Sequence, residues 1–188
     1  MDRDVALAII QKKVTNKNII KHMLATEAVM RSLARRLDSN RERFWALAGL
    51  LHDGDYLEKV PVEKQGIQIS EWIEKEKNII LPNHVKHAMA AHNFMNTHVV
   101  PRSKMDWALF SCDSLTGLIV ASALVLPSKQ LADLKVDSVL KRFKEPSFAK
   151  GTRRDDILEC ETKLGLSLEE FVKISLRAMQ DIHEDLGL

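Results

Sequence analysis

Apolar residues recur along this chain every three or four positions, and no stretch alternates apolar and polar side chains for long. That period belongs to helices burying one face, not to half-buried strands. It predicts helices over about 2–13, 17–37, 41–52, 62–76, 82–95, 103–126, 136–144, 153–164 and 167–186. Asn16 or Asn18 suits the cap of the second helix, and Pro82 suits the first turn of the fifth. Thr152-Arg153-Arg154-Asp155 reads as an N-cap with an acid three residues on, and Gly165 and Gly187 fit helix ends. The pattern is weakest from 54 to 69, where Gly54, Pro61 and Gly66 fall. The expected fold is an all-α, single-domain helical bundle over residues 1–188, without a linker.

Composition agrees with that picture. A chain of 188 residues, 45% hydrophobic and 29% charged, can bury a sizeable core and is not a disordered segment. The formal net charge is only +2, and Lys and Arg are spread along the length. That argues against dedicated nucleic-acid binding. Cys112 and Cys160 form no CxxC, so a disulfide framework is not expected and a reducing cytoplasmic location fits. The charged start, Met1-Asp2-Arg3-Asp4, does not read as a secretory signal. The uncharged run from Ser114 to Ser128 is shorter than the ~20 residues of a membrane span. It reads as a buried core helix, with no membrane association expected.

Four residues stand out against this background. His52-Asp53 ends the apolar run Leu47-Ala48-Gly49-Leu50-Leu51 and is followed by Gly54-Asp55. His22 lies in Ile19-Ile20-Lys21-His22-Met23-Leu24, and Asp113 lies in the apolar stretch from Trp107 to Leu126. An unpartnered polar group in such a setting costs roughly 2–7 kcal/mol. One divalent metal ion is the simplest partner for two imidazoles and two carboxylates together. His22 and Asp113 taken singly also fit plainer roles, a hydrogen-bonded core histidine and a carboxylate paired with an arginine. Neighbours on a helix point about 100° apart. His52 and Asp53 therefore converge only at a helix end, which Gly54 supplies, while His22 and Asp113 come from two other helices.

Other polar residues are weaker candidates. His84 and His87 have a metal-binding spacing but flank Lys86 in a polar stretch, which reads as a solvated face. His98 and His183 read as surface, and Met23, Met30, Met89 and Met95 as core. Arg36 is ~21 Å from His22 along its helix, so Arg35 and Arg36 read as a solvated face. His92-Asn93 closes a helix and either reaches the site or packs at the helix end. Lys150, Arg153 and Arg154 precede a helix, where cationic side chains and free N–H groups make an anion site or merely cap a surface helix.

The order His22, His52-Asp53, Asp113 resembles the metal signature of the HD superfamily of metal-dependent phosphohydrolases. Lys21-His22-Met23-Leu24-Ala25, Leu50-Leu51-His52-Asp53-Gly54-Asp55-Tyr56, Ala91-His92-Asn93, Asp113-Ser114-Leu115-Thr116-Gly117 and Ser147-Phe148-Ala149-Lys150 resemble a branch of predicted hydrolases within it. The resemblance implies an all-helical fold and hydrolysis of a phosphate ester, often of a nucleotide. Two-metal members carry an extra histidine where Lys64 stands here. Some one-metal members carry a glutamate where Tyr56 stands, which leaves Asp55 as the nearest carboxylate.

The expected centre is one divalent ion, Mn, Fe, Co, Ni, Zn or Mg, held by His22, His52, Asp53 and Asp113. Asp55 and His92 are the expected catalytic residues, with Asp55 orienting the attacking water. Lys64, Lys150, Arg153 and Arg154 are the expected contacts to a small phosphorylated substrate. Two alternatives remain open: a metal-containing nucleotide sensor without turnover, and a helical protein whose four residues form a buried hydrogen-bond cluster.

Overall fold

A computed structural model describes all 188 residues, and every regular element in it is helical. The α-helices are α1 (Arg3–Lys13), α2 (Lys17–Leu37), α3 (Glu42–Leu51), α4 (Gln68–Lys77), α5 (Asn83–His92), α6 (Phe94–Thr97), α7 (Lys104–Leu124), α8 (Val136–Phe143), α9 (Arg154–Glu159), α10 (Leu168–Gln180) and α11 (His183–Leu186). The two long helices organise the bundle. Helix α2 packs on α3, α7 and α10, while α7 packs on α2, α5 and α9. One continuous apolar core runs from Ala6 to Leu186, with Trp45 and Phe171 completely buried. Helix α7 is long and apolar enough to cross a membrane by length and composition. Its neighbours on several sides account for that apolar character.

Local chemistry sets most of the boundaries. The Asn16 side chain accepts from the Asn18 N–H at 2.9 Å and starts α2. Ser103 and Asp106 form a reciprocal capping box at the start of α7. Pro82 stands one residue before α5 rather than in its first turn. Gly165 and Gly187 end helices in the left-handed region, as expected. Arg153, not Thr152, precedes α9, and no side chain caps that helix.

Three expected helices are interrupted. The span expected at 62–76 begins with a single 3-10 turn, Val62–Lys64, and resumes only at Gln68. Gly66 lies between them at φ +88°, where a Cβ would come within 2.3 Å of the Met89 carbonyl oxygen. Only glycine permits that approach. The span expected at 82–95 divides at Asn93, and the span at 167–186 divides at Asp181-Ile182. Helix α9 passes into a π-helical turn, Cys160–Leu164. Met23, Met30 and Met89 are core, but Met95, on the short α6, is 72% exposed.

Arg154 is a fold residue rather than a phosphate ligand. Its guanidinium donates to the carbonyls of Phe143 (2.8 Å), Glu145 (2.8 Å) and Phe148 (2.7 Å), closing the end of α8 against the start of α9. Arg154→Met keeps the stem and removes these charge-assisted bonds. It is expected to lower unfolding free energy in a urea titration by about 2–3 kcal/mol, with metal content unchanged.

Candidate metal centre

Helices α2 and α3 touch backbone to backbone at Gly49. A Cβ there would lie 2.8 Å from the Thr26 carbonyl oxygen and 3.0 Å from the Glu27 Cα. Thr26 is one turn after His22, and His52 is three residues after Gly49. This close approach therefore sets the separation of the two imidazoles. Helix α3 ends at Leu51, and the chain turns through His52, Asp53 and Gly54. Gly54 serves that turn by space rather than by φ, since a Cβ there would meet the Ile69 side chain at 2.9 Å. Asp113 comes from the middle of α7.

The four side chains meet as expected. His22 Nε2 lies 2.9 Å from Asp113 Oδ1 and 3.7 Å from Asp53 Oδ2. His52 Nε2 lies 3.6 Å from Asp53 Oδ2 and 3.7 Å from Asp113 Oδ1. No two of the four ligand atoms are more than 4.8 Å apart. Metal–ligand bonds of roughly 2.0–2.2 Å place neighbouring ligand atoms about 2.9 Å apart in an octahedral shell and about 3.4 Å apart in a tetrahedral one. The observed separations fall around those values, so the group can hold one metal ion.

The tautomers strengthen the fit. His52 Nδ1 donates to the Gly49 carbonyl at 2.8 Å. The Thr116 hydroxyl donates to the Asp113 carbonyl at 2.8 Å and can accept from His22 Nδ1 at 3.1 Å. In the tautomers that these bonds favour, both Nδ1 atoms carry the proton and the two Nε2 lone pairs face each other across 3.1 Å. Two lone pairs at that distance repel unless a cation lies between them, either a metal ion or an added proton. Burial opposes charge at His52, but the carboxylates of Asp53 and Asp113 outweigh it and raise its pKa. Burial likewise opposes ionisation of Asp113, yet His22 and His52, when an added proton sits on Nε2, donate to it and hold it well below the usual carboxylate range. The cluster is an electrostatic trap for positive charge.

A polar cavity of about 220 Å³ opens beside the cluster, lined by Asp53, Tyr56, Gln65, His92, Asn93 and Asp113, with Arg153 completing the wall. His92 donates from Nδ1 to the Met89 carbonyl and turns Nε2 towards Asp53 Oδ1, 3.5 Å away. Arg153 reaches Asp113 Oδ2 at 3.4 Å and also pairs with Asp156. His92 and Arg153 therefore both line the cavity beside the cluster.

Other expected site residues lie elsewhere. Asp55 is wholly buried, and its two oxygens accept the N–H groups of Gly66 and Ile69, each at 2.8 Å. It anchors the loop before α4 and is not free to orient water. Lys64 is exposed at the end of its 3-10 turn, and Gln65 lines the cavity instead. Lys150 is exposed and outside the cavity wall. His84 and His87 are half-buried rather than solvated. His84 stacks edge-on against Phe44, and His87 Nδ1 pairs with the buried Asp106 at 3.0 Å. His98 and His183 are exposed, as are Arg35 and Arg36, which pair with Glu42 and Glu170.

Sequence reasoning missed Thr116 and Gln65. Thr116 lies one turn after Asp113, a spacing that could have drawn attention to it. Asn93, expected either at the site or in helix-end packing, does both: it lines the cavity while its amide donates to the Val62 and Gln65 carbonyls. No family model, curated protein or solved structure matches this chain.

Proposed function

We propose that this chain is a metal-dependent hydrolase of a small phosphate ester. The observation that carries the reading is the pair of Nε2 atoms facing each other at 3.1 Å between the carboxylates of Asp53 and Asp113, beside a cavity walled by Arg153. The order of the four ligand residues, which resembles the HD superfamily, supports phosphate chemistry. The imidazole and carboxylate donors suit Mn, Fe, Co, Ni or Zn better than Ca, with Mg also compatible.

A divalent ion bound there would lower the pKa of a coordinated water towards ~7 and polarise a phosphoryl oxygen. The chain's own residues supply the rest. Arg153, half-exposed beside the cluster, offers a planar fork of donors to phosphate oxygens. Its bond to Asp113 Oδ2 also turns Oδ1 of that carboxylate towards His22. His92 presents Nε2 to the cavity from a fixed ring and can pass a proton to or from a group held there. Helices α2, α3, α5 and α7 pack against one another around the cluster and hold its side chains in place.

One observation favours a second reading. With Asp55 committed to two backbone donors, no spare carboxylate stands ready as a base. A metal-containing nucleotide-binding module without turnover would need none.

A metal-by-substrate screen on tag-free protein tests both readings. Adding Mn²⁺ or Zn²⁺ to chelator-treated protein is expected to raise stability by about 2.7 kcal/mol at a hundredfold excess over Kd, and metal-loaded protein is expected to release phosphate from some monoester or diester. Binding without turnover across nucleoside monophosphates, cyclic nucleotides and an aryl phosphate would favour the sensor. Absence of both metal uptake and stabilisation would leave only a buried hydrogen-bond cluster.

A further inference from the structure

A second cavity reaches the metal cluster at His22 and shares no lining residue with the cavity that Arg153 walls. It measures about 450 Å³ and runs between α2 and α7 to α11. His22 is a wall of it, while the same ring points Nε2 into the cluster. The rest of the lining is mostly aliphatic, including Ala25, Val120, Leu124 and Leu186. No Phe, Tyr or Trp ring faces it for stacking. Apart from His22 and Thr116, which are bonded to each other, its only polar side chains are Asn18 and Lys21.

The sequence keeps this space open. Gly117 stands in the middle of α7, where glycine is disfavoured relative to alanine. A Cβ at Gly117 would meet nothing within 4 Å. No close packing or left-handed backbone requires glycine there, so its evident effect is the room it leaves. At the rim, Leu124 is 49% exposed, a large apolar side chain without a partner. Lys21 makes no ion pair and lies against Gly187, placing an ammonium at the edge of an otherwise aliphatic surface.

We infer that this groove receives the apolar part of the substrate, which is a phosphate monoester of an aliphatic alcohol. The inference rests on the phosphohydrolase reading of the cluster. Its reasoning is geometric. A phosphoryl group held at the four ligands has two spaces beside it. The Arg153 side is small and polar and suits phosphate oxygens. The His22 side is larger and aliphatic and suits a chain. A nucleobase fits the second space poorly, because its edge needs hydrogen-bond partners that the groove does not offer.

Methyl-, butyl- and octylphosphonate, which cannot be hydrolysed at an ester, are titrated calorimetrically into the full chain with and without Mn²⁺. Affinity is expected to rise about fourfold per methylene while the chain lengthens within the groove. Gly117→Leu should flatten the series, with metal content and helicity reporting that the fold is kept. Leu124→Gln, at the exposed rim, should weaken the octyl compound several-fold as an independent check. Affinity independent of chain length in the unmodified protein, or an unchanged series in both variants, overturns the inference. Chain-length-dependent binding without release of phosphate from octyl phosphate would instead sink the hydrolase reading and leave the groove assignment standing.

Discussion

Asp113→Asn is expected to yield a folded helical protein that no longer retains a divalent ion. The amide has nearly the shape of the carboxylate but no charge, and Asp113 Oδ1 lies closer to His22 Nε2 than any other carboxylate oxygen does. Removing an outer-sphere partner of a metal ligand already costs about 10–100-fold in affinity. Removing a charged ligand should exceed the upper end of that range. The fold should survive, because Asp113 is only half-buried and the variant ends the need to hold two carboxylates near each other. Metal analysis after dialysis, alongside circular dichroism, measures both effects. Full metal content in Asp113→Asn would remove this residue from the ligand set. His52→Ala should be at least as damaging to metal content, but it also opens a hole in the buried core, so its stability loss is harder to apportion.

The second large effect is expected on stability. Asp55→Asn should cost about 2–4 kcal/mol of unfolding free energy. Two buried backbone N–H groups, of Gly66 and Ile69, now share one carboxylate. Asparagine offers one acceptor oxygen and turns an N–H towards the other donor. Denaturant titration reads the loss. Metal content per folded chain should stay near that of the unmodified protein, because His52 and Asp53 follow directly on the end of α3, ahead of the loop that Asp55 anchors. A variant of unchanged stability would show that Asp55 does not anchor that loop.

Asp55 also shows where the sequence stops being readable. His22, His52, Asp53 and Asp113 could be found because each is a polar group in an apolar run, and burying such a group without a partner is costly. The helices could be found because apolar periodicity reports which face is buried. Asp55 stands beside the same doublet and carries the same charge, so nothing in the sequence separates it from a catalytic carboxylate. What separates it is a pair of backbone donors 11 and 14 residues away, and backbone groups leave no trace in residue identity. Arg154 was misread for the same reason, since its partners are carbonyls. Lys64 was misread because alignment by position ignores the 3-10 turn that carries it outward. The break before α4 was hidden because Gly66 looks like any loop glycine until the Met89 carbonyl is seen against it.

The salt bridge between Arg153 and Asp113 has a consequence for the order of binding. Two carboxylates, Asp53 and Asp113, face the cavity against the one guanidinium of Arg153, which is shared with Asp156. With the imidazoles neutral, as ligation requires, that mouth is negative. On the proposed phosphohydrolase reading it would repel a phosphate until a divalent ion had entered and offset the carboxylates. The order, cation before anion, would then follow from the polarity of one opening, a charge gate that needs no movement of the chain.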